Sequence, residues 1–166
     1  AVIGPLAADK DTPLGSWRAR ALPDSAVSLL EGIRAAVGDD VEVTYAEGAP
    51  LAVGERSFLQ ELEFNTEDTS GFAAAEAAAA ASDIVVIAVG EEAFQSGEAR
   101  SQVDIGLKGV QQQLLERVYA ANSNTVVVVM NGRPLVLDWM AANVPAIVEA
   151  WHLGSEAGHA IAHPVA

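Results

Sequence analysis

The chain has 166 residues, enough for one domain with a full hydrophobic core, and 51% of them are hydrophobic, chiefly Ala and Val. A net charge of −14 argues against nucleic acid or an anionic membrane surface as a partner, since either demands a basic face. With no Cys there is no disulfide, thiol nucleophile or thiolate metal site, and no apolar run approaches the length of a membrane span.

The chain opens without Met, inside what reads as a buried strand, Ala1-Val2-Ile3, turned by Gly4-Pro5. A polar loop with Asp9, Asp11, Gly15, Ser16 and Trp17 follows. A helix is predicted after Pro23, capped by Asp24 or Ser25, with Val27, Leu29, Leu30, Ile33, Ala36 and Val37 on its apolar face and Gly38 as its stop. V-E-V-T-Y at 41–45 alternates like a strand near a sheet edge. Residues 47–70 form an acidic excursion with little periodicity and a short helix expected around 57–62. The alanine tract at 72–81 is a strong helix former that can lie close to a sheet.

Residues 84–89, I-V-V-I-A-V, are β-branched and apolar on both sides, as a central strand of a parallel sheet must be. A helix at 110–120, a second such strand at 125–130, a short helix at 137–142, a strand at 146–150 and a helix opening at 154–161 complete the alternation. This predicts an α/β fold: a single domain over 1–166 built on a mainly parallel open sheet with helices on both faces, a three-layer α/β sandwich in which 84–89 and 125–129 are neighbouring central strands.

Directly after residues 84–89 the composition flips to Gly90, Glu91, Glu92, Gln95, Ser96, Gly97, Glu98 and Arg100. Ligands of open α/β sheets bind beyond the carboxyl ends of the strands, on loops of this kind. Glu98 follows a glycine that lets the loop bend, so its carboxyl group can be brought to a substrate as general acid and base. Gln95, Ser96 and Arg100 are the candidates for contacting substrate or supporting the loop. Taken alone, a Glu in an acidic protein is usually a solvated surface group, and Glu91 and Glu92 share that expectation. Asn131-Gly132-Arg133-Pro134 either holds a polar ligand through its guanidinium or is a turn whose Arg pairs with a carboxylate. His152, His159 and His163 invite a metal reading, but no carboxylate motif joins them and Pro164 should end the helix before two of them share a face; no metal site is predicted. G-x-G-x-x-G, G-x-x-x-x-G-K-[ST] and G-x-S-x-G are absent, and no cofactor is expected.

Several motifs, in order along nearly the whole chain, resemble the second, α/β-sandwich domain of family 3 glycoside hydrolases of the β-glucosidase type. They are A-V-I-G-P-L-A at 1–7 with G-S-W at 15–17, I-V-V-I-A-V-G-E at 84–91, Q-S-G-E-A-R-S at 95–101, M-N-G-R-P-L at 130–135, and E-A-W-H-L-G-S-E-A-G-H-A-I-A at 149–162. The resemblance implies a site shared between two domains. An N-terminal (β/α)8 barrel, absent here, supplies the aspartate nucleophile, and this domain lends the acid/base, Glu98. The implied chemistry is retaining hydrolysis of a β-glucoside or oligosaccharide, the implied address periplasmic or secreted, and the implied chain a piece of a longer one.

Three departures stand out. Asp104-Ile105-Gly106-Leu107-Lys108-Gly109 lacks the family's Pro, His152-Leu153-Gly154 replaces Tyr-Pro-Gly, and the family's closing segment is missing after Ala166. The alternative reading is a free-standing doubly wound module that binds a small ligand or a protein without catalysis.

Overall fold

A computed structural model describes residues 1–166. Its main sheet has five parallel strands in the order β2-β1-β5-β6-β7: β1 is Val2–Ile3, β2 Tyr45–Ala46, β5 Val85–Gly90, β6 Thr125–Met130 and β7 Ala146–Glu149. Four helices connect the strands, α1 Leu29–Val37, α2 Phe72–Ala80, α3 Gln111–Ala121 and α4 Asp138–Asn143, and a fifth, α5 Ala157–Val165, follows β7. No helix is long and apolar enough to cross a membrane.

The strand period of two divides the core into halves. Val2, Val86, Ala88, Val128 and Met130 face α1 and α5, whereas Ile3, Val85, Ile87, Val89, Val127 and Val129 face α2, α3 and α4. All six residues of β5 are buried, as its β-branched run requires. The predicted three layers and the pairing of β5 with β6 are therefore present, with Val85↔Thr125 through Gly90↔Met130 in register.

Five local expectations are corrected. The first helix starts at Leu29, not near Asp24. Ser28 is its cap, because only there does a Glu stand three residues on: Ser28 Oγ accepts from the Glu31 N–H at 3.2 Å while Glu31 Oε2 accepts from the Ser28 N–H at 2.9 Å. The alternating stretch 41–45 contributes only Tyr45 to β2, which pairs on one side only at the sheet edge. No helix forms at 57–62; the excursion instead closes on a two-stranded antiparallel pair, β3 Ala52–Val53 with β4 Glu63–Phe64. Ile84 stands outside β5 and is exposed. The last helix passes through Pro164 to Val165, since near a C-terminus the lost donor costs one hydrogen bond, and Ala166 N still reaches Ala162 O at 2.9 Å.

Candidate active site

Because the sheet is parallel, the segments leaving β1, β2, β5, β6 and β7 gather at one edge. The segment after β5 begins as a fixed structure. Gln111, buried on α3, bridges both backbone polar groups of Gly90: its Oε1 accepts from the Gly90 N–H at 2.9 Å and its Nε2 donates to the Gly90 carbonyl at 2.8 Å.

Glu91 and Glu92 come next, and the expectation that they are solvated is wrong: they are 0% and 1% exposed. Buried carboxylates need partners, and each finds an arginine from a different loop. Glu91 Oε1 lies 2.8 Å from Arg133 Nε, off the N–H line and so an electrostatic contact rather than a hydrogen bond, while its Oε2 accepts from the Gly132 N–H at 3.0 Å. Glu92 Oε1 takes Arg56 Nε at 2.7 Å and its Oε2 takes the Phe94 N–H at 2.6 Å. Arg56 reaches on to Asp9 Oδ2 at 2.6 Å. Burial works against the Arg56 charge, but Asp9 and Glu92 outweigh it and raise its pKa above the ordinary value. Of the two readings of Asn131-Gly132-Arg133-Pro134, the turn with a carboxylate-paired Arg is the one observed. Arg133 Nη2 also donates to the Gln95 carbonyl at 2.6 Å.

Gln95 and Ser96 are buried as well. Gln95 Oε1 accepts from the Glu92 N–H at 3.2 Å, folding the loop base upon itself. Ser96 Oγ stands 3.5 Å from His152 Nε2 and packs against Gly132, where an added Cβ would fall 1.8 Å from that oxygen. Burial lowers the pKa of His152 below the ordinary histidine value; the Thr12 carbonyl opposes this and the Arg18 charge adds to it. The ring is thus neutral near pH 7. His159 pairs with Glu156 on the surface, His163 is exposed, and no three His, Cys, Asp or Glu side chains stand close enough to share a metal ion.

Beyond Ser96 the loop changes character. Gly97, Glu98 and Ala99 are exposed, with Gly97 at φ 120° and Ala99 at φ 59°. A side chain at Gly97 would be strained at that φ and would strike Ser16 Oγ at 2.3 Å. Glu98 takes part in none of the chain's ion pairs. Arg100 fastens the far side: its Nη2 donates to the carbonyls of Phe58 at 2.5 Å and Gln60 at 2.6 Å. A cleft of 310 Å³ lies beside this anchor, lined by Glu61, Phe64, Phe94, Gln102 and Lys108 among others.

The chain matches the glycosyl hydrolase family 3 C-terminal domain over residues 1–165. It belongs to that family. It is 36% identical over 99% of its length to a β-xylosidase of Formosa agariphila and 35% identical over 98% to a periplasmic β-glucosidase of Salmonella typhimurium, and it spans only 22% of each of those proteins. A β-glucosidase from Erythrobacter marinus superposes on 97% of the chain with a TM-score of 0.80 at 32% identity. A Listeria innocua β-glucosidase variant in complex with laminaribiose superposes on 98% with a TM-score of 0.78 at 31% identity. The chain covers 23% and 20% of those two structures. This family 3 domain is thus of the β-glucosidase and β-xylosidase type.

Sequence reasoning offered a carboxylate partner for Arg133 without saying which, and it missed the Arg56–Glu92 pair and one further carboxyl group at this edge. Glu149, at the end of β7, has its pKa raised by desolvation against hydrogen bonds from the Trp151 backbone and the Asn131 side chain. The signal for the Arg56–Glu92 pair lay only in unmatched charges 36 residues apart in the chain.

Proposed function

We propose that this domain supplies the general acid/base of a retaining β-glycosidase that cleaves terminal β-D-glucosyl or related residues, and that Glu98 is that group. The nucleophile resides on an N-terminal barrel domain of the same polypeptide, and the domain alone is inactive. The observation that carries this reading is the contrast within one loop. Glu91 and Glu92 are buried and neutralised, whereas Glu98 stands exposed and unpaired at a glycine-bent tip on the C-terminal edge of the sheet. Of the three, only Glu98 can meet a substrate carried by another domain. Exposed apolar side chains in the segments that follow the strands, Trp17, Leu22, Leu59, Val103, Trp151 and Leu153, fit a surface that a second domain covers.

The acid protonates the departing glycosidic oxygen while the partner's carboxylate attacks the anomeric carbon, and its conjugate base then activates water to release the sugar. Gln95, Ser96 and Arg100 support the loop in this account, rather than contacting the sugar. The test is Glu98→Ala in the longer polypeptide with an activated aryl β-glucoside and added azide. Azide needs no general base, so turnover should rise and a β-configured glycosyl azide should accumulate. A Glu98→Ala enzyme unresponsive to azide would move the acid/base elsewhere.

A further inference from the structure

Two arginines join the Glu98 loop to the 47–70 excursion, and they run in opposite directions. Arg56 leaves the excursion and binds Glu92 on the loop, at 2.7 Å, while its other arm holds Asp9 at 2.6 Å on the segment after β1. Arg100 leaves the loop and binds the excursion: Nη2 donates to the carbonyls of Phe58 and Gln60, and more distantly to Ser57 at 3.4 Å. Its guanidinium carbon lies 5.4 Å from the Phe58 ring centre, a second, independent hold. Arg100 directly follows the exposed span 97–99, and Glu92 stands before it beyond residues 93–96, its N–H tied to Gln95 Oε1 at 3.2 Å, so the loop is held on both sides of that span.

We infer that Arg56 and Arg100 form a reciprocal clasp through which the 47–70 excursion positions Glu98, making both arginines positioning residues for the acid/base step. This rests on Glu98 being the acid/base. The physical reason is steric economy. Glu98 has no ion pair of its own to aim it, so its direction is set by where the two ends of a three-residue span are held. The excursion's own regular structure is a two-residue strand pair beside the bonds of Asn65 to Pro50 and Asp68, and the clasp adds the hold on its 56–60 stretch. Proton transfer tolerates little misplacement: an error of about 1 Å can cost about 10²-fold.

The test uses the longer polypeptide and compares kcat/KM for methyl β-glucoside, which needs a proton on its leaving oxygen, with that for dinitrophenyl β-glucoside, which does not. Arg56→Gln and Arg100→Gln should each lose about 10-fold to 10²-fold on the alkyl substrate and less than about threefold on the aryl one. The double variant should lose about as much as either single one, because neither half holds the span alone. Arg100→Lys keeps the charge and three donors and should recover most of the loss. An unfolded fraction lowers both substrates alike and cancels in their ratio; should Arg56→Gln not fold, Arg100→Gln carries the measurement. An unchanged ratio in the clasp variants, beside a Glu98→Ala that does depend on the leaving group, overturns the clasp alone. A Glu98→Ala without that dependence removes the acid/base assignment and the clasp with it.

Discussion

Glu91 and Glu92 are neighbours in sequence that answer to different arginines, and their chemistry follows from burial. A carboxylate with no solvent is tolerable only beside a fixed positive charge, so Arg133 and Arg56 are structural necessities whatever the catalytic role of the loop. Arg133→Met strands the fully buried Glu91 and should cost about 3–5 kcal/mol in denaturant unfolding. Glu98→Gln removes an exposed, unpaired charge and should stay within about 0.5 kcal/mol of the parent. The reverse ranking would mean that Glu98, not Glu91, holds the loop. His152 adds a pH signature. Its folded pKa lies below the ordinary 6.5, chiefly through burial. The unfolded chain therefore binds the proton more readily, and stability falls as pH drops from about 6.5 toward the folded value. His152→Phe should flatten the unfolding curve across that window; an unchanged slope would place the titrating group elsewhere.

At the scale of elements, α1 and α5 meet through glycine. A Cβ on Gly32 would lie 2.0 Å from the Gly158 carbonyl oxygen, and one on Gly158 would lie 2.1 Å from that of Ser28. Gly32→Ala should destabilise by about 1–3 kcal/mol through overpacking, despite alanine's better helix propensity. A stabilised variant would show that the helices can separate at no cost. Elements of this kind were legible in the sequence where pattern and environment agree. β5 and β6 are β-branched runs buried on both faces, and α3 carries Leu114, Leu115 and Val118 at helical spacing. Legibility failed where tertiary contacts decide. The Asp24–Ser25 pair offered a cap as good as Ser28 by residue type, but only Ser28 has Glu31 three positions on. The β3–β4 pair, Ala52 with Phe64 and Val53 with Glu63, rests on two residues per strand, too few for a period to show in the sequence. At the site, the exposed glycine-bent tip was readable from Q-S-G-E-A-R. The burial of Glu91 and Glu92 was not, because it depends on arginines brought in from other strands' loops.

For the whole molecule, a parallel sheet concentrates its strand-end segments on one edge, and here those segments carry a clasped acidic loop, a neutral half-buried histidine and several exposed apolar side chains. The family supplies the hydrolase context, and the proposal of Glu98 as acid/base within it rests on the loop contrast. The most direct test of that selection is the dependence of kcat/KM on leaving-group acidity, measured for the longer polypeptide and its Glu98→Ala variant over a series from dinitrophenyl to alkyl β-glucosides. Because kcat/KM reports the first irreversible step, the parent should show a shallow slope and the variant a steep one. Their rates should nearly meet at dinitrophenol and diverge by about 10²–10⁴-fold at the alkyl end. Glu149→Gln, which alters the one carboxyl group at this edge with a raised pKa, should run parallel to the parent. Parallel lines for parent and Glu98→Ala, with the steep slope appearing in Glu149→Gln instead, would contradict the assignment.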